Sequence, residues 1–182
     1  MGRSKRRSDL AILRWFGALF FLLLFVRNNW ASEFPEYDIK AAYLFNFSKF
    51  VEWPPHAFSN PGAPLVIGIL GSDPFDGTLD RITQGEVVHG HRLVVRHCRT
   101  VGEIKGCHIV FIPKAEAARV REALAAVRGS GALTVGDSDH FVSQGGMIGF
   151  VLVGKTVRFQ INAGVAQQEA LAISSRLLKL GI

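Results

Sequence analysis

Four short strand-forming segments, each with a glycine or a proline directly before or after it, constrain the fold of this chain more than any other feature. They are Leu65–Leu70, His91–His97, His108–Ile112 and Ala132–Val135, and helix-forming sequence lies between them. Strands that alternate with helices are joined by right-handed crossovers and form a parallel sheet. Their largely apolar character is typical of strands that helices cover on both faces.

A helix rich in aromatic residues is predicted ahead of the first strand, over residues 38–53. Asp38 can cap its start, and Pro54–Pro55 end it because proline has no N–H to donate. Its apolar face, at helical spacing, comprises Ile39, Ala42, Tyr43, Phe47, Phe50 and Val51. Such a stripe usually packs on a sheet, but Trp is enriched at protein interfaces. Phe47, Trp53 and Pro54 are therefore the candidate residues for contacting a partner protein.

Turn residues place two further helices. Asp73 precedes Pro74 after the first strand, which suits the N-cap and the first position of a helix that runs to residue 83. Another helix is expected over Glu116–Arg128, where Gly129 ends it.

The pattern changes towards the C-terminus. Met147–Val153 and Thr156–Ile161 are separated only by Gly154–Lys155, a hairpin signal, and Asn162 can cap a last helix that extends towards Leu180. Residues 149–156 also match the phosphate-loop pattern, but that loop needs a helix after it, and here a strand follows. The predicted fold class is α/β: a mostly parallel sheet flanked by helices, with a C-terminal antiparallel hairpin and a terminal helix.

The first 32 residues have the composition of a targeting segment. Met1–Arg14 is basic, Trp15–Val26 is apolar and Arg27–Ser32 is polar. The apolar run has signal-peptide length and is short for a membrane span of about 20 residues. Residues 29–31 (Asn-Trp-Ala) lack a small residue at the −3 position that cleavage prefers, so a membrane anchor over residues 10–26 remains an alternative to a cleaved signal peptide. Either one exports residues 33–182, predicted to be a single domain, to the periplasm. The other alternative is a buried helix of a cytosolic protein.

Most of the net charge of +6 belongs to this leader. Residues 1–30 contain six Lys/Arg and one Asp, whereas the rest of the chain contains fifteen Lys/Arg and fourteen Asp/Glu. A nearly neutral domain lacks the basic stripe that binds nucleic-acid phosphates. The sequence therefore argues against nucleic acid as a partner.

The sequence has no residue pattern typical of a catalytic, metal or cofactor site. Its histidines are His56, His89, His91, His97, His108 and His140. Neither His89 with His91, nor His97–Cys98 with Cys107–His108, has the spacing of a recognised zinc site. We therefore expect solvated turn histidines, no metal, no cofactor and no enzyme activity.

Polar residues follow three of the predicted strands at their carboxyl ends, where open α/β sheets bind ligands. Ser72 and Asp73 follow the first strand, Lys114 follows the third, and Asp137 and Ser138 follow the fourth. A small-molecule site at this edge is one of two functional hypotheses and describes a periplasmic sensor or binding protein.

Cys98 and Cys107 are the two cysteines of the chain, and a pair in an exported protein suggests a disulfide. If Cys98 ends the second strand and Cys107 begins the third, roughly 15 Å along the sheet separates them. A disulfide needs Cα atoms within about 7 Å of each other. The bond is therefore expected only if this strand assignment is wrong there.

Six blocks of the sequence together resemble the YfiR/HmsC family, and the resemblance extends over residues 37–182. The blocks are residues 39–54 (IKAAYLFNFSKFVEWP), 107–112 (CHIVFI), 133–138 (LTVGDS), 145–150 (GGMIGF), 157–162 (VRFQIN) and 173–180 (ISSRLLKL). Family members typically have Glu at the position of Gln160. Others join the equivalent of Cys107 to a cysteine on a neighbouring strand, and this chain has no cysteine near Leu65–Gly68.

The resemblance implies the other functional hypothesis, a non-catalytic periplasmic regulator. The best-known members of the family restrain an inner-membrane diguanylate cyclase by engaging its periplasmic sensor portion, which lowers cyclic di-GMP and biofilm formation. The resemblance also implies that no cofactor is required and that the protein tends to form a homodimer.

Overall fold

The computed structural model describes residues 35–182, so the predicted leader lies outside the described residues. The described part begins with helix α1 (Glu36–Phe50) and the two-residue strand β1 (Val51–Glu52). The elements that follow are β2 (Leu65–Leu70), α2 (Thr78–Thr83), β3 (Val87–Val88), β4 (His91–Cys98), β5 (Ile109–Ile112), α3 (Val120–Ala126), β6 (Leu133–Gly136), β7 (Ile148–Val153), β8 (Thr156–Ile161), α4 (Ala163–Gln168), β9 (Ala172–Ile173) and α5 (Ser175–Leu178). Single 3-10 turns cover Pro55–Ala57 and Val101–Ile104, and a longer 3-10 segment covers Lys114–Arg119.

The main sheet has seven strands in the order β3-β4-β2-β5-β6-β7-β8. The five central strands of this order, β4, β2, β5, β6 and β7, run parallel. The two edge strands, β3 and β8, pair antiparallel with their neighbours. This confirms the predicted α/β class with its C-terminal hairpin. In chain order the parallel strands lie 2-1-3-4-5, which is the flavodoxin type of doubly wound sheet. The connections therefore reverse direction between β2 and β5.

Helices cover both faces of the sheet, and β2, β5 and β6 are therefore buried throughout their length. On one face Leu44 and Phe47 of α1 join a core that includes Ile67 and Phe111. On the other face Val120 and other residues of α3 pack with Val66, Leu70 and Val110. The apolar strands inferred from the sequence are thus covered on both faces, as expected for a mostly parallel sheet.

The ends of α1 differ from the sequence prediction. The helix begins after Pro35, which provides no side-chain cap, so Asp38 lies inside the first turn and is not the N-cap. It ends at Phe50 and not at Trp53, because Val51 and Glu52 pair antiparallel with Ile173 and Ala172. A tertiary strand pair thus ends the helix before the prolines do.

The C-terminal helix is also shorter than predicted. Asn162 does cap α4, since its side-chain oxygen accepts the N–H of Val165 at 3.1 Å. The helix then ends at Gln168, and β9 and the short α5 follow. The β7–β8 hairpin spans residues 148–161, so the phosphate-loop match is a hairpin, as its sequence indicated. The helices of residues 35–182 lack the length and apolar character that crossing a bilayer requires.

Candidate functional site

Lys40 and Asp137 form a buried ion pair at the carboxyl edge of the sheet. Lys40 projects from α1, and Asp137 directly follows β6. The Lys40 Nζ donates to Asp137 Oδ2 at 2.6 Å and also pairs with Glu36 one helical turn earlier. The two side chains are 5% and 2% exposed. Since charges are buried only when they are paired, this contact fixes α1 against the end of β6.

Asp137 has two further partners that extend this network. Its Oδ1 accepts the backbone N–H of Lys114 at 2.5 Å, which ties the end of β5 to the end of β6. The Tyr37 hydroxyl lies close enough to Asp137 for the carboxylate to act on it, and the Lys40 ammonium lies 4.3 Å from the centre of the Tyr37 ring. Burial, with this carboxylate nearby, raises the pKa of Tyr37 above its ordinary value. Tyr37 is therefore a hydroxyl donor at neutral pH.

A cavity of about 960 Å³ opens beside this network and brings together three of the five predicted edge residues. Lys114, Asp137 and Ser138 line it, with further walls from α1 and from the β7–β8 hairpin. Ser138 is 5% exposed, and its hydroxyl has no hydrogen-bond partner among residues 35–182. A volume of this size accepts a small molecule, and the buried hydroxyl supplies one polar group that a ligand or a water can satisfy.

The other two predicted edge residues lie apart from this cavity, because β5 separates β2 from β6 in the sheet. Asp73 caps its own turn: its carboxylate accepts the N–H groups of Phe75 and Gly77 at 2.8 and 3.2 Å. The carboxylates of Asp73 and Asp80 and the His97 ring come within 4.8 Å of one another, with His97 Nε2 3.3 Å from both Asp80 oxygens. Ser72 is an exposed residue of the same loop.

The crevice where the strand order reverses is filled by the protein itself. The Glu116 side chain occupies the space next to Gly71 at the end of β2. Arg119 holds Glu116 with an ion pair of 2.9 Å and also donates to the Arg99 carbonyl. A doubly wound sheet usually binds its ligand at this point. In this chain the open volume lies further along the sheet, at the ends of β6 and β7.

A second concave surface, which we call the aromatic groove, lies where the chain leaves β1. Its volume is about 680 Å³, and it is lined by Glu52, Trp53, Pro55, Phe58, Ser59, Asn60, Pro61, His89 and His91. Two prolines, two aromatic rings and two histidines thus surround one accessible surface. Trp53 is half-buried here, and Pro54 lies next to it.

His108 lies behind this groove and contacts two of its lining residues, Trp53 and Phe58. Its Nδ1 accepts the N–H of Val66 and its Nε2 meets the carbonyl of Ala57, both at 3.1 Å. Burial holds the pKa of His108 below its usual value, and this bonding pattern requires the neutral ring with its proton on Nε2. The Trp53 indole N–H donates to the His108 carbonyl at 3.1 Å. His108 is thus buried and structural, in contrast to the solvated turn histidine expected from the sequence.

Phe58 lies between the groove residue His91 and the buried His108. Its ring stacks on His91 with centroids 3.7 Å apart and on His108 with centroids 4.4 Å apart. Phe58 could not be identified from the sequence, because a single aromatic residue in a polar loop carries no periodic signal. Lys40 was not identified either, because a lysine in a helix is usually solvated, whereas here it is buried with Ala41 and Leu44.

Phe47 does not lie on an accessible surface. Its ring is 0% exposed and packs within 5.2 Å of Phe159 and 5.9 Å of Phe150, measured between centroids. The structure therefore places Phe47 in the core and corrects its assignment to a partner face. Of the three residues expected to contact a partner, Trp53 and Pro54 remain at the surface.

The fold and these surfaces define a small, doubly covered α/β protein with one ligand-sized cavity at the carboxyl edge and one aromatic groove. The sequence profile of the YfiR/HmsC-like family matches residues 37–182. The chain therefore belongs to the YfiR/HmsC-like family, which is known as regulatory rather than catalytic.

Solved structures show the same architecture. One is the crystal structure of a conserved domain protein from Vibrio cholerae, which superposes with a TM-score of 0.56 at 12% sequence identity. The match covers 80% of this chain but only 59% of that protein, so the likeness concerns the fold alone. The comparison with curated proteins gave no match.

Proposed function

We propose that this protein is a non-catalytic periplasmic regulator that binds and restrains an inner-membrane signalling partner, a diguanylate cyclase, and so lowers the output of cyclic di-GMP. The observation that carries the proposal is membership of the YfiR/HmsC-like family over residues 37–182. The basic and apolar character of the first 32 residues supports export. The near neutrality of the rest supports a protein partner in preference to nucleic acid.

The aromatic groove is the surface we propose for this partner. Interfaces are enriched in aromatic side chains, and their energetic centres are often Trp. Trp53 is held in place by its bond to His108, so it is presented in one orientation and loses little conformational freedom on binding. Pro54 and Pro55 limit the backbone freedom of the same segment.

Deleting the gene tests the function, and a single substitution tests the surface. We expect deletion to raise cellular cyclic di-GMP several-fold, and the wild-type gene to restore the low level. A gene carrying Trp53→Ala should fail to restore it, because the main interface side chain is lost. Val153→Ala is the matched control, since Val153 is an apolar residue 56% exposed on the β7–β8 hairpin and lies outside both the groove and the cavity. Immunoblots must show equal amounts of the two variants.

An unchanged cyclic di-GMP level in the deletion strain would contradict the proposed function. If the deletion raises the level but Trp53→Ala restores it as well as Val153→Ala does, the function stands and the groove is not the interface.

A second function, sensing of a small molecule, is favoured by the cavity that contains Ser138. Binding to the folded state alone raises stability by about 2.7 kcal/mol at one hundred times Kd, or a Tm rise of about 5–10 °C. Thermal shift against a panel of amino acids, sugars and nucleosides should therefore show one class that raises Tm. Ser138→Ala should remove that shift, whereas Ser59→Ala, in the aromatic groove, should keep it. No shift from any of the three classes would count against this function.

A further inference from the structure

Gly68 lies at the centre of β2 and leaves a space over the sheet that two sulfur atoms border. A Cβ added at Gly68 would lie 2.6 Å from the Sγ of Cys107 and 3.6 Å from the Sγ of Cys98. Gly68 is not among the residues with positive φ, so its backbone conformation is open to any residue. The Cys107 sulfur, and not the backbone, therefore requires glycine at this position, and the Cys98 sulfur is in van der Waals contact with the same space.

The two cysteines reach this space from opposite neighbours of β2. Cys98 ends β4, which pairs with β2 on one side, and Cys107 comes just before β5, which pairs on the other. The separation of roughly 15 Å expected from the sequence assumed that Cys107 continues the strand. Instead, Gly106 has a φ of 76° and the N–H of Cys107 bonds to the Ile104 carbonyl. This turn lays the Cys107 side chain over Gly68.

Both thiols are free and shielded from solvent. The Arg96 guanidinium lies 3.7 Å from the Cys107 Sγ, and the Cys98 thiol donates to the Arg96 and Glu103 carbonyls at 3.7 and 3.4 Å. Cys98 is 0% and Cys107 4% exposed, and both belong to the cluster that contains Val66, Ile104 and Val110. Burial raises the pKa of Cys98, and raises that of Cys107 to about 12, although the Arg96 guanidinium acts against it. The thiolate is the reactive form in disulfide exchange, so in the folded protein both groups react slowly. Oxidation is therefore fastest before the sheet closes over them.

We propose that Cys98 and Cys107 are a redox site that forms an intramolecular disulfide across β2, in the space left by Gly68. The two thiols lose two protons and two electrons, one S–S bond forms, and a disulfide of the oxidant is reduced to two thiols. The oxidant is a thiol–disulfide oxidoreductase or a low-molecular-weight disulfide. The bond joins the end of β4 to the segment that leads into β5 and closes the loop 99–106. This chain would thus cross-link Cys107 to a different strand from the one used by the relatives that have a cysteine near the position of Gly68.

Oxidative refolding of the full chain tests the proposal. The denatured, reduced protein is refolded in a mixture of reduced and oxidised glutathione, denatured again and treated with N-ethylmaleimide. We expect a monomer with no maleimide adduct and a mass lower by two hydrogens, against two adducts after refolding in dithiothreitol. The oxidised form should melt about 5–10 °C higher, as expected for a cross-linked loop of this length.

Gly68→Ala separates this geometry from simple thiol reactivity. Its Cβ fills the shared space, so we expect both thiols to stay alkylatable in the same glutathione mixture. Gly102→Ala is the matched control, because it lies in the loop between the cysteines and its added Cβ would meet only the Thr100 hydroxyl, at an ordinary contact distance of 3.8 Å; this variant should still form the bond. If Gly68→Ala does not fold, Cys98→Ser replaces it and should retain one alkylatable thiol.

Two adducts on the wild type after oxidative refolding would overturn the proposal, as would a dimer linked through sulfur or a glutathione adduct on a single cysteine. The test uses purified protein and a defined thiol buffer. Its result is therefore independent of the regulatory role proposed above.

Discussion

Replacing Asp137 with asparagine is expected to lower the free energy of unfolding by about 3–5 kcal/mol, because the change leaves the Lys40 ammonium buried beside one partly exposed carboxylate. Asparagine keeps the shape of the side chain and an oxygen that can still accept the N–H of Lys114, so the loss isolates the charge. Urea denaturation at pH 7, followed by circular dichroism, measures it.

Asp139→Asn is the matched control for this experiment. Asp139 is two residues away and also pairs with a lysine, but its side chain is 80% exposed and that of Lys114 is 63% exposed. Exposed ion pairs contribute about 0–1 kcal/mol, so this variant should unfold nearly as the wild type does. Equal stability losses for the two variants would show that the burial of the Lys40–Asp137 pair is not what matters.

A double-mutant cycle extends this prediction to the pair itself. Lys40→Met removes the buried ammonium, and the double variant Lys40→Met/Asp137→Asn should cost less than the two single changes together. Groups in direct contact show coupling energies of about 0.5–3 kcal/mol, whereas distant groups are additive. Additive losses would mean that the two side chains do not interact in solution. The cycle therefore tests whether α1 is fixed to the carboxyl edge by this contact.

The sequence was sufficient for the elements whose signal is local. The buried β2 is bounded by glycine and proline, and the β7–β8 hairpin is set by Gly154–Lys155, so both were placed within a residue or so. The order of the strands was not predictable in this way. Which strand lies between two others depends on the packing of whole helices, and β2 separates β4 from β5 without any local signal.

The same limit explains which site residues were found. Lys114, Asp137 and Ser138 were predicted together because the carboxyl ends of parallel strands meet at one edge. Asp73 was grouped with them, although the position of β5 keeps it apart. Lys40 was missed because a lysine in a helix is usually solvated, and only its burial against Asp137 shows its role.

The cysteine pair shows how one turn can overturn a correct rule. The rise per residue along parallel strands is correct, but Cys107, to which it was applied, lies before β5 and not in it. Gly106 redirects the chain there, and a single glycine in the left-handed region has no effect on periodicity. The sequence could not show that Gly68 would leave room for both sulfurs, because β3 and β4 separate Gly68 from Cys107 along the chain.

Phe47→Ala is expected to lower the free energy of unfolding by about 3–5 kcal/mol, the cost of removing a fully buried aromatic ring. Phe47 projects from α1 onto the β7–β8 hairpin, where its ring meets Phe150 and Phe159, and it also stacks on Tyr43 of its own helix. Its removal leaves a cavity that these rings cannot close without shifting backbone. Thermal and urea denaturation of the purified variant measure the loss.

Phe45→Ala is the control on the same helix. Phe45 is only partly buried, and the Lys49 ammonium lies over its ring at 3.9 Å, so its loss should cost about 1–2 kcal/mol, since only part of its area is buried. A stability of Phe47→Ala close to the wild-type value would return Phe47 to an accessible face and reopen its role in partner binding. The expected large loss instead means that any regulatory defect of Phe47 variants comes from unfolding. Trp53 is then the residue of this segment whose substitution tests partner contact without removing the core.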